Sequence, residues 1–173
     1  MYLLEFNFQY VEVLVMLVFA FLLGLLIYEF QKMKTKLEER AGINNEGMKL
    51  KLQALERLTL YAERAGLQSL VTRTQSNGIT TAGYHLALID TLRSEYEYNV
   101  TQQVYVSPEV WGAVSRLKDQ NIYIINQLAA LLPADATAND FSKKIIEYSL
   151  TENPPLNVIV LDALRFEAKK ALD

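Results

Sequence analysis

The sequence predicts an all-α protein, with an N-terminal transmembrane helix followed by a small cytoplasmic helical bundle. Three observations carry this expectation. From Val13 to Tyr28 the chain reads VLVMLVFAFLLGLLIY, without a single charge. All seventeen Lys and Arg residues lie on one side of that run, after position 31. Beyond them, apolar residues recur three and four apart and are interrupted by Gly, Asn and Pro, the pattern of successive amphipathic helices. The expected organisation is a transmembrane anchor over residues 1–30, a juxtamembrane helix and hinge over 31–47, and a helical domain over 48–173.

A helix needs roughly 20 mostly apolar residues to cross a bilayer core. Tyr10 and Val11 lengthen the run upstream, broken only by Glu12, which would sit among the headgroups. A cleaved signal peptide fits less well. It needs a basic leader and small residues at the cleavage site, whereas here the leader holds Glu5 and no Lys or Arg, and Leu25, Leu26, Ile27 and Tyr28 are bulky. A buried helix of a soluble protein would be apolar all round, which a domain this small rarely encloses. Lys32, Lys34, Lys36 and Arg40 follow the run and none precedes it. Loops rich in Lys and Arg stay in the cytoplasm, so the N-terminus should face outward and the C-terminal part inward, across a cell inner membrane. Tyr10 and Tyr28 bracket the span as interface anchors. Ala20 and Gly24 form a weak small-xxx-small pair, more readily a lipid-facing tolerance than a dimer seam.

After position 31 the chain carries seventeen basic and seventeen of its twenty acidic residues, so its soluble part is formally neutral. Neutrality argues against a nucleic-acid surface, which needs several Lys or Arg contacts to phosphate. With no cysteine, disulfides, thiolate nucleophiles and sulfur-ligated metal centres are excluded.

The charged stretch from Phe30 to Arg40 should continue the membrane helix, and Gly42-Ile-Asn-Asn-Glu-Gly47 should break it. A helix is expected from about Met48 to Thr72, with an apolar stripe at Leu55, Leu58, Ala62, Ala65 and Leu70 widened by Leu52, Leu60, Tyr61 and Leu67; Gly66 is a candidate bend. Gln75 to Thr81 reads as a linker. The next helix, about Thr81 to Val106, places His85, Ile89, Leu92, Tyr96, Asn99, Gln103 and Val106 on one face, apolar up to Tyr96 and amide-rich after it. Ser107-Pro108-Glu109 is a restart signal, combining a capping serine, a proline suited to the first helical position and an acid at the positive helix end. The helix it opens repeats Val110, Val114, Leu117, Asn121, Ile125, Leu128 and Leu132, with Trp111 beside that stripe and at least partly buried. Pro133 ends it. Thr137 and Asp140 resemble a capping box at the head of a short helix to about Leu150. Asn153-Pro154-Pro155 stops that helix, and the last one runs to about Leu172. Its opening residues, Leu156 to Val160, are also compatible with a short strand because β-branched residues favour strands, but the poor alternation favours helix.

The chemistry-bearing motifs are few. His85 is the only histidine, so paired-histidine metal sites are excluded, and it reads as a helix-face or core residue. The chain contains no G-x-S-x-G elbow, no G-x-x-x-x-G-K-[ST] phosphate loop and no G-x-G-x-x-G turn. The stretch from Arg93 to Trp111 is the most distinctive soluble segment. Within it Glu95, Asn99 and Gln102 can share one side of a helix and, with Tyr98 and Tyr105, form a polar network. Such a network is first a buried seam that sets helix register, second a partner-binding face, and third a small-molecule or metal site, for which one carboxylate among amides is a poor cage.

The stretches Leu52-Gln-Ala-Leu-Glu-Arg-Leu-Thr-Leu60 and Glu95-Tyr-Glu-Tyr-Asn-Val-Thr-Gln-Gln-Val-Tyr-Val-Ser107, with Trp111 and Lys118, resemble a family of uncharacterised single-pass membrane-anchored helical proteins of Bacteroidota. The resemblance covers nearly the whole chain and implies an N-terminal hydrophobic helix, a helical remainder and an inner-membrane setting; it brings no activity with it. The functional expectation is therefore a membrane-anchored helical scaffold or protein-interaction module. Its partners would be the lipid bilayer and a membrane or cytoplasmic protein, a second copy of the chain included, but no nucleic acid. No cofactor and no metal are expected. The alternatives are an enzyme acting on a small molecule with Glu95 as base, or a membrane-linked sensor working through the 42–47 hinge.

Overall fold

A computed structural model describes residues 8–151 and 154–172. Every regular element among them is helical: α1 (Phe8–Ala65), α2 (Leu67–Arg73), α3 (Thr81–Asn99), a 3₁₀ turn (Val100–Val104), α4 (Pro108–Ala130), α5 (Ala138–Thr151) and α6 (Leu156–Leu172). The described residues fall into two units divided between Gly47 and Met48.

The first unit is the N-terminal part of α1. This helix is long and apolar enough to cross a membrane. Its large apolar side chains between Val13 and Tyr28 are all open, from 42% exposed at Leu23 to 67% at Phe21. Among the described residues of this unit, none packs over them. The expected break at residues 42–47 does not occur, because α1 runs through them as helix. Each glycine costs about 1 kcal/mol against alanine in a helix, but the stretch has no proline, and ending the helix would require a second, unfavourable nucleation. Strong helix formers on both sides, Glu38 to Arg40 and Met48 to Leu52, carry it across. The acidic and aromatic residues ahead of Phe8, Glu5 among them, lie outside the described residues, as do residues 152 and 153 of the Pro-rich stop after α5.

The second unit is built on the apolar stripes. Leu55, Leu58, Ala62 and Ala65 of α1 are buried as the spacing predicts, together with Tyr61. They share one core with Leu88, Ile89 and Leu92 of α3, Val114, Leu117 and Ile125 of α4, Phe141 and Ile145 of α5, and Leu161 and Leu164 of α6. One apolar position departs from the expected stripe, since Leu60 is 60% exposed. Residues 156–160 are helix rather than strand. The carbonyl of Pro155 accepts from the N–H groups of Val158 and Ile159, which satisfies early donors that a strand would have to pair elsewhere.

Helix ends are fixed by identifiable groups. The expected bend at Gly66 is a full break between α1 and α2. The last carbonyls of α1 receive side-chain donors from distant segments: Arg73 Nη2 reaches the Arg64 oxygen at 3.1 Å and Asn121 Nδ2 the Ala65 oxygen at 2.7 Å. Gly66 itself is hemmed in, and a Cβ there would stand 2.9 Å from Nδ2 of Asn157. Thr80 caps α3 by accepting from the Gly83 N–H. The preceding linker contains Gly78 at φ +76°, a left-handed conformation that suits glycine. Thr137 and Asp140 form the reciprocal box at α5, the Asp140 N–H donating to Thr137 Oγ1 and the Thr137 N–H to Asp140 Oδ2.

At α4, Ser107 is the N-cap and accepts from the Val110 N–H. It is held in turn by Glu167 of α6, a carboxylate only 6% exposed. Glu167 accepts from the Ser107 N–H at 3.0 Å and from the Ser107 hydroxyl, and pairs with Lys51 of α1 at 3.0 Å. One acid thus ties α1 and α6 to the positive end of α4.

Two stability outcomes are expected from this packing. Trp111 is half-buried and stacks on Tyr96 with ring centroids 5.2 Å apart, so Trp111→Ala should lose about 2–3 kcal/mol, less than for a fully enclosed ring. An unchanged denaturation midpoint of the detergent-solubilised chain would show that the ring contributes no packing. Glu167→Ala leaves the Ser107 donors and Lys51 without their acceptor and should lose about 2 kcal/mol. Lys51→Ala, at the solvent end of the pair, should lose under about 1 kcal/mol. Chemical denaturation followed by circular dichroism ranks the two.

Candidate functional site

α3 presents Glu95, Tyr98 and Asn99 on successive turns, and α1 presents Arg57, Tyr61 and Arg64 three and four apart. Between them lies an open cleft of about 310 Å³, with Leu60 on the α1 wall and Ser94 on the α3 wall. The five residues singled out from the sequence divide here. Glu95, Tyr98 and Asn99 line the cleft. Gln102 is buried and donates to Thr101 Oγ1 at 3.1 Å, and Tyr105 is 39% exposed. Neither lines that cleft.

The division follows from the end of α3. The expected helix to Val106 stops at Asn99, where the backbone tightens into the 3₁₀ turn. Asn99 Nδ2 bonds back to the Glu95 carbonyl at 2.8 Å, and the Val100 N–H reaches the Glu97 carbonyl three residues back rather than four. With three residues per turn instead of 3.6, the inward face shifts. Gln102, grouped with Asn99 from the sequence, is buried, whereas Gln103, also expected on the Asn99 face, is exposed.

Glu95 is the electrostatic centre. Arg64 donates to it through Nη2 at 2.8 Å and through Nε to both oxygens at 3.2 Å. Arg73 Nη1 lies 2.6 Å from Oε1. Burial alone would raise the Glu95 pKa, but the hydrogen bonds and charges of Arg64 and Arg73 outweigh it and hold the carboxyl below its ordinary value. A general base needs the opposite shift, toward neutrality, with an oxygen free to take a proton. Glu95 is thus built as an anion held between two guanidinium groups. Its tie to Asn99 runs only through the Glu95 backbone carbonyl, so these side chains do not form the mutual network the sequence suggests.

Behind Glu95 stands an aromatic row. Tyr61 meets Tyr96 edge-on with centroids 6.2 Å apart, Tyr96 stacks on Trp111, and the Lys118 ammonium sits 4.2 Å above the Tyr96 ring. The Tyr96 hydroxyl bonds Ser115 Oγ at 2.9 Å. Burial, reinforced by the negative charge of Glu95, pushes the Tyr61 phenol well above its ordinary value. Its hydroxyl is buried without a hydrogen-bond partner, as is Arg73 Nε. On the outer edge, the Arg57 guanidinium lies over the Tyr98 ring, 5.0 Å from its centroid. His85 is on a helix face as expected, half-buried, with Nε2 2.8 Å from Asn126 Oδ1.

Sequence reasoning missed Arg64, Arg73 and Glu167. Arg64 and Glu95 are 31 positions apart and Ser107 and Glu167 are 60 apart, and no local spacing signals such pairs. Among the described residues, no group of three or more His, Cys, Asp or Glu side chains is placed to hold a metal ion.

Over residues 1–171 the sequence matches one family throughout. The chain belongs to the family of unknown function DUF7935. No curated protein and no solved structure matches it. The DUF7935 match includes both the apolar N-terminal helix and every element that lines the cleft.

The pKa directions fix a pH response. Glu95 and Glu167 are both held below the ordinary carboxylate value of 4.5. A carboxylate whose folded pKa is depressed gives stability that is fully present above its unfolded value and is lost as pH falls through the folded one. The thermal midpoint should therefore stay level from neutrality to about pH 5 and fall below about pH 4.5. Glu95→Gln should lower the neutral-pH stability by about 1–2 kcal/mol, a modest figure because Arg64 is solvent-facing. It should also make the acid limb shallower. A variant with the wild-type acid limb would remove Glu95 from the account.

Proposed function

We propose that this protein is a single-pass, membrane-anchored interaction module. In this reading residues 1–30 form the transmembrane anchor, residues 31–47 continue it as a juxtamembrane helix, and residues 48–173 form a helical domain that docks another protein on the cytoplasmic face of the inner membrane. The observation that carries it is the uncovered apolar surface of α1 between Val13 and Tyr28. Side chains this large and this open would drive association in water, and a hydrocarbon environment is their natural cover. Lys32, Lys34, Lys36 and Arg40 on one flank favour an outward N-terminus. The docking role is supported by Leu60 and Tyr98, exposed apolar side chains on opposite walls of the cleft. Glu95, Tyr98 and Asn99 belong to that face, with Gln102 and Tyr105 beyond it as candidate flanking contacts. A tether raises the local concentration of such a surface toward other membrane proteins, so a weak site suffices.

The chain should stay in the membrane fraction through alkaline extraction, and a reporter active only in the cytoplasm should be active when fused after Asp173. Activity of a periplasmic reporter there would reverse the orientation, and recovery in the soluble fraction would defeat the anchor. A photoreactive residue in place of Tyr98 should give a discrete protein adduct in native membranes. Absence of any adduct from several positions on the domain, with small-molecule turnover by the purified protein, would replace the docking role with an enzymatic one.

A further inference from the structure

The cleft between α1 and α3 is unbalanced in charge. Of the charged side chains lining it, Arg57 and Arg64 are positive and Glu95 is negative. Glu95 already serves Arg64 and also Arg73 behind it. Among the described residues Arg57 has no carboxylate partner; its guanidinium lies over the ring of Tyr98. At the same wall the Tyr61 hydroxyl is buried without a hydrogen-bond partner. A guanidinium lying over a ring face can still offer its N–H edge to the two parallel hydrogen bonds that a carboxylate accepts. Beside it lie two open apolar groups, Tyr98 at 73% and Leu60 at 60% exposure.

We propose that this cleft docks an acidic segment of a protein partner, with a carboxylate on Arg57 and a neighbouring apolar side chain seated between Leu60 and Tyr98. The inference rests on the docking role proposed above and names the partner's chemistry. The arrangement fits a peptide better than a lipid headgroup, because among the described residues lining the cleft Arg57 is the one cation without a carboxylate, and it is flanked by apolar surface rather than set in a basic face. A free anion would leave Leu60 and Tyr98 in water. Exposed apolar side chains follow the cleft residues in sequence at Val100 and Val104 of the 3₁₀ turn. Tyr and Arg are the residue types that most often dominate binding at protein interfaces.

The test uses the full chain in phosphatidylcholine nanodiscs, with a rhodamine-labelled octapeptide of alternating glutamate and leucine and its glutamine–leucine counterpart, read by fluorescence anisotropy. The glutamate peptide should bind about tenfold more tightly than the glutamine one. Arg57→Gln should remove most of that difference and Arg57→Lys should restore part of it. Tyr98→Ala should weaken both peptides. Arg165→Gln, at an exposed ion pair with Asp162, should change nothing, and unaltered Trp111 fluorescence confirms that each variant is folded. Equal affinity for the two peptides, or indifference to Arg57→Gln, overturns the proposal. So does Arg57-dependent binding to phosphatidylglycerol vesicles with no peptide binding, which assigns the cleft to a lipid headgroup. The two readings fail separately. Protein adducts in native membranes with Arg57-independent peptide binding would sink the acidic-peptide site and keep the docking role. Arg57-dependent peptide binding without any adduct would do the reverse.

Discussion

The helical domain depends on how its longest helix ends. α1 spans Phe8–Ala65, and the carbonyls of its last turn must find donors outside it. A glycine in the left-handed conformation would supply them locally in many proteins. Here Gly66 is at φ −55° and ψ 135°, which turns the chain without closing such a cap. The donors come instead from Arg73 and Asn121, the second of them 56 positions away. α2, which ends at Arg73, and α4, which carries Asn121, are therefore both fixed against one end of α1. Glu95 extends this to α3, because it grips Arg73 and Arg64 together. The cleft is a by-product of that closure, with walls on the two elements that the Arg64–Glu95 pair joins.

Local grammar was legible. Ser107-Pro108-Glu109 marks a helix start because capping, proline geometry and the helix dipole act within four residues, and Thr137 with Asp140 does the same. The three-and-four spacing of Leu55, Leu58 and Ala62, or of Val110, Val114 and Leu117, needs no tertiary knowledge to mark an inward face. Two local readings went astray where competing terms are close in size. Two glycines and two asparagines weaken a helix at 42–47 by an amount that flanking helix formers can offset. At Asn99 a single side-chain bond to the Glu95 carbonyl accompanies the change from α to 3₁₀ geometry, and with it Gln103 leaves the inward face.

The site was legible only in part, for a different reason. Glu95, Tyr98 and Asn99 stood out because polar and aromatic residues crowd one segment. Their partners did not, because an arginine at position 64 or 73 looks like any solvated helix residue until the fold brings it to Glu95. Glu167 is the sharper case. It occupies a helix face next to Leu164 and Ala168, where spacing suggests a solubilising acid, yet it is among the most buried polar groups in the domain. Its burial is tolerable because three donors converge on it, from Ser107 and Lys51.

Gly66 and Asn157 lie 91 positions apart in the sequence and occupy nearly the same space. A side chain at position 66 requires the amide of Asn157, 2.9 Å from the place of its Cβ, to swing aside. Over evolutionary time the two positions are therefore bound as a pair. A lineage that acquires alanine at 66 must shorten or redirect residue 157, and a larger residue 157 directed the same way favours glycine at 66. The trace of this corner should persist as covariation between the end of the first helix and the start of the last, even in relatives whose clefts carry different residues.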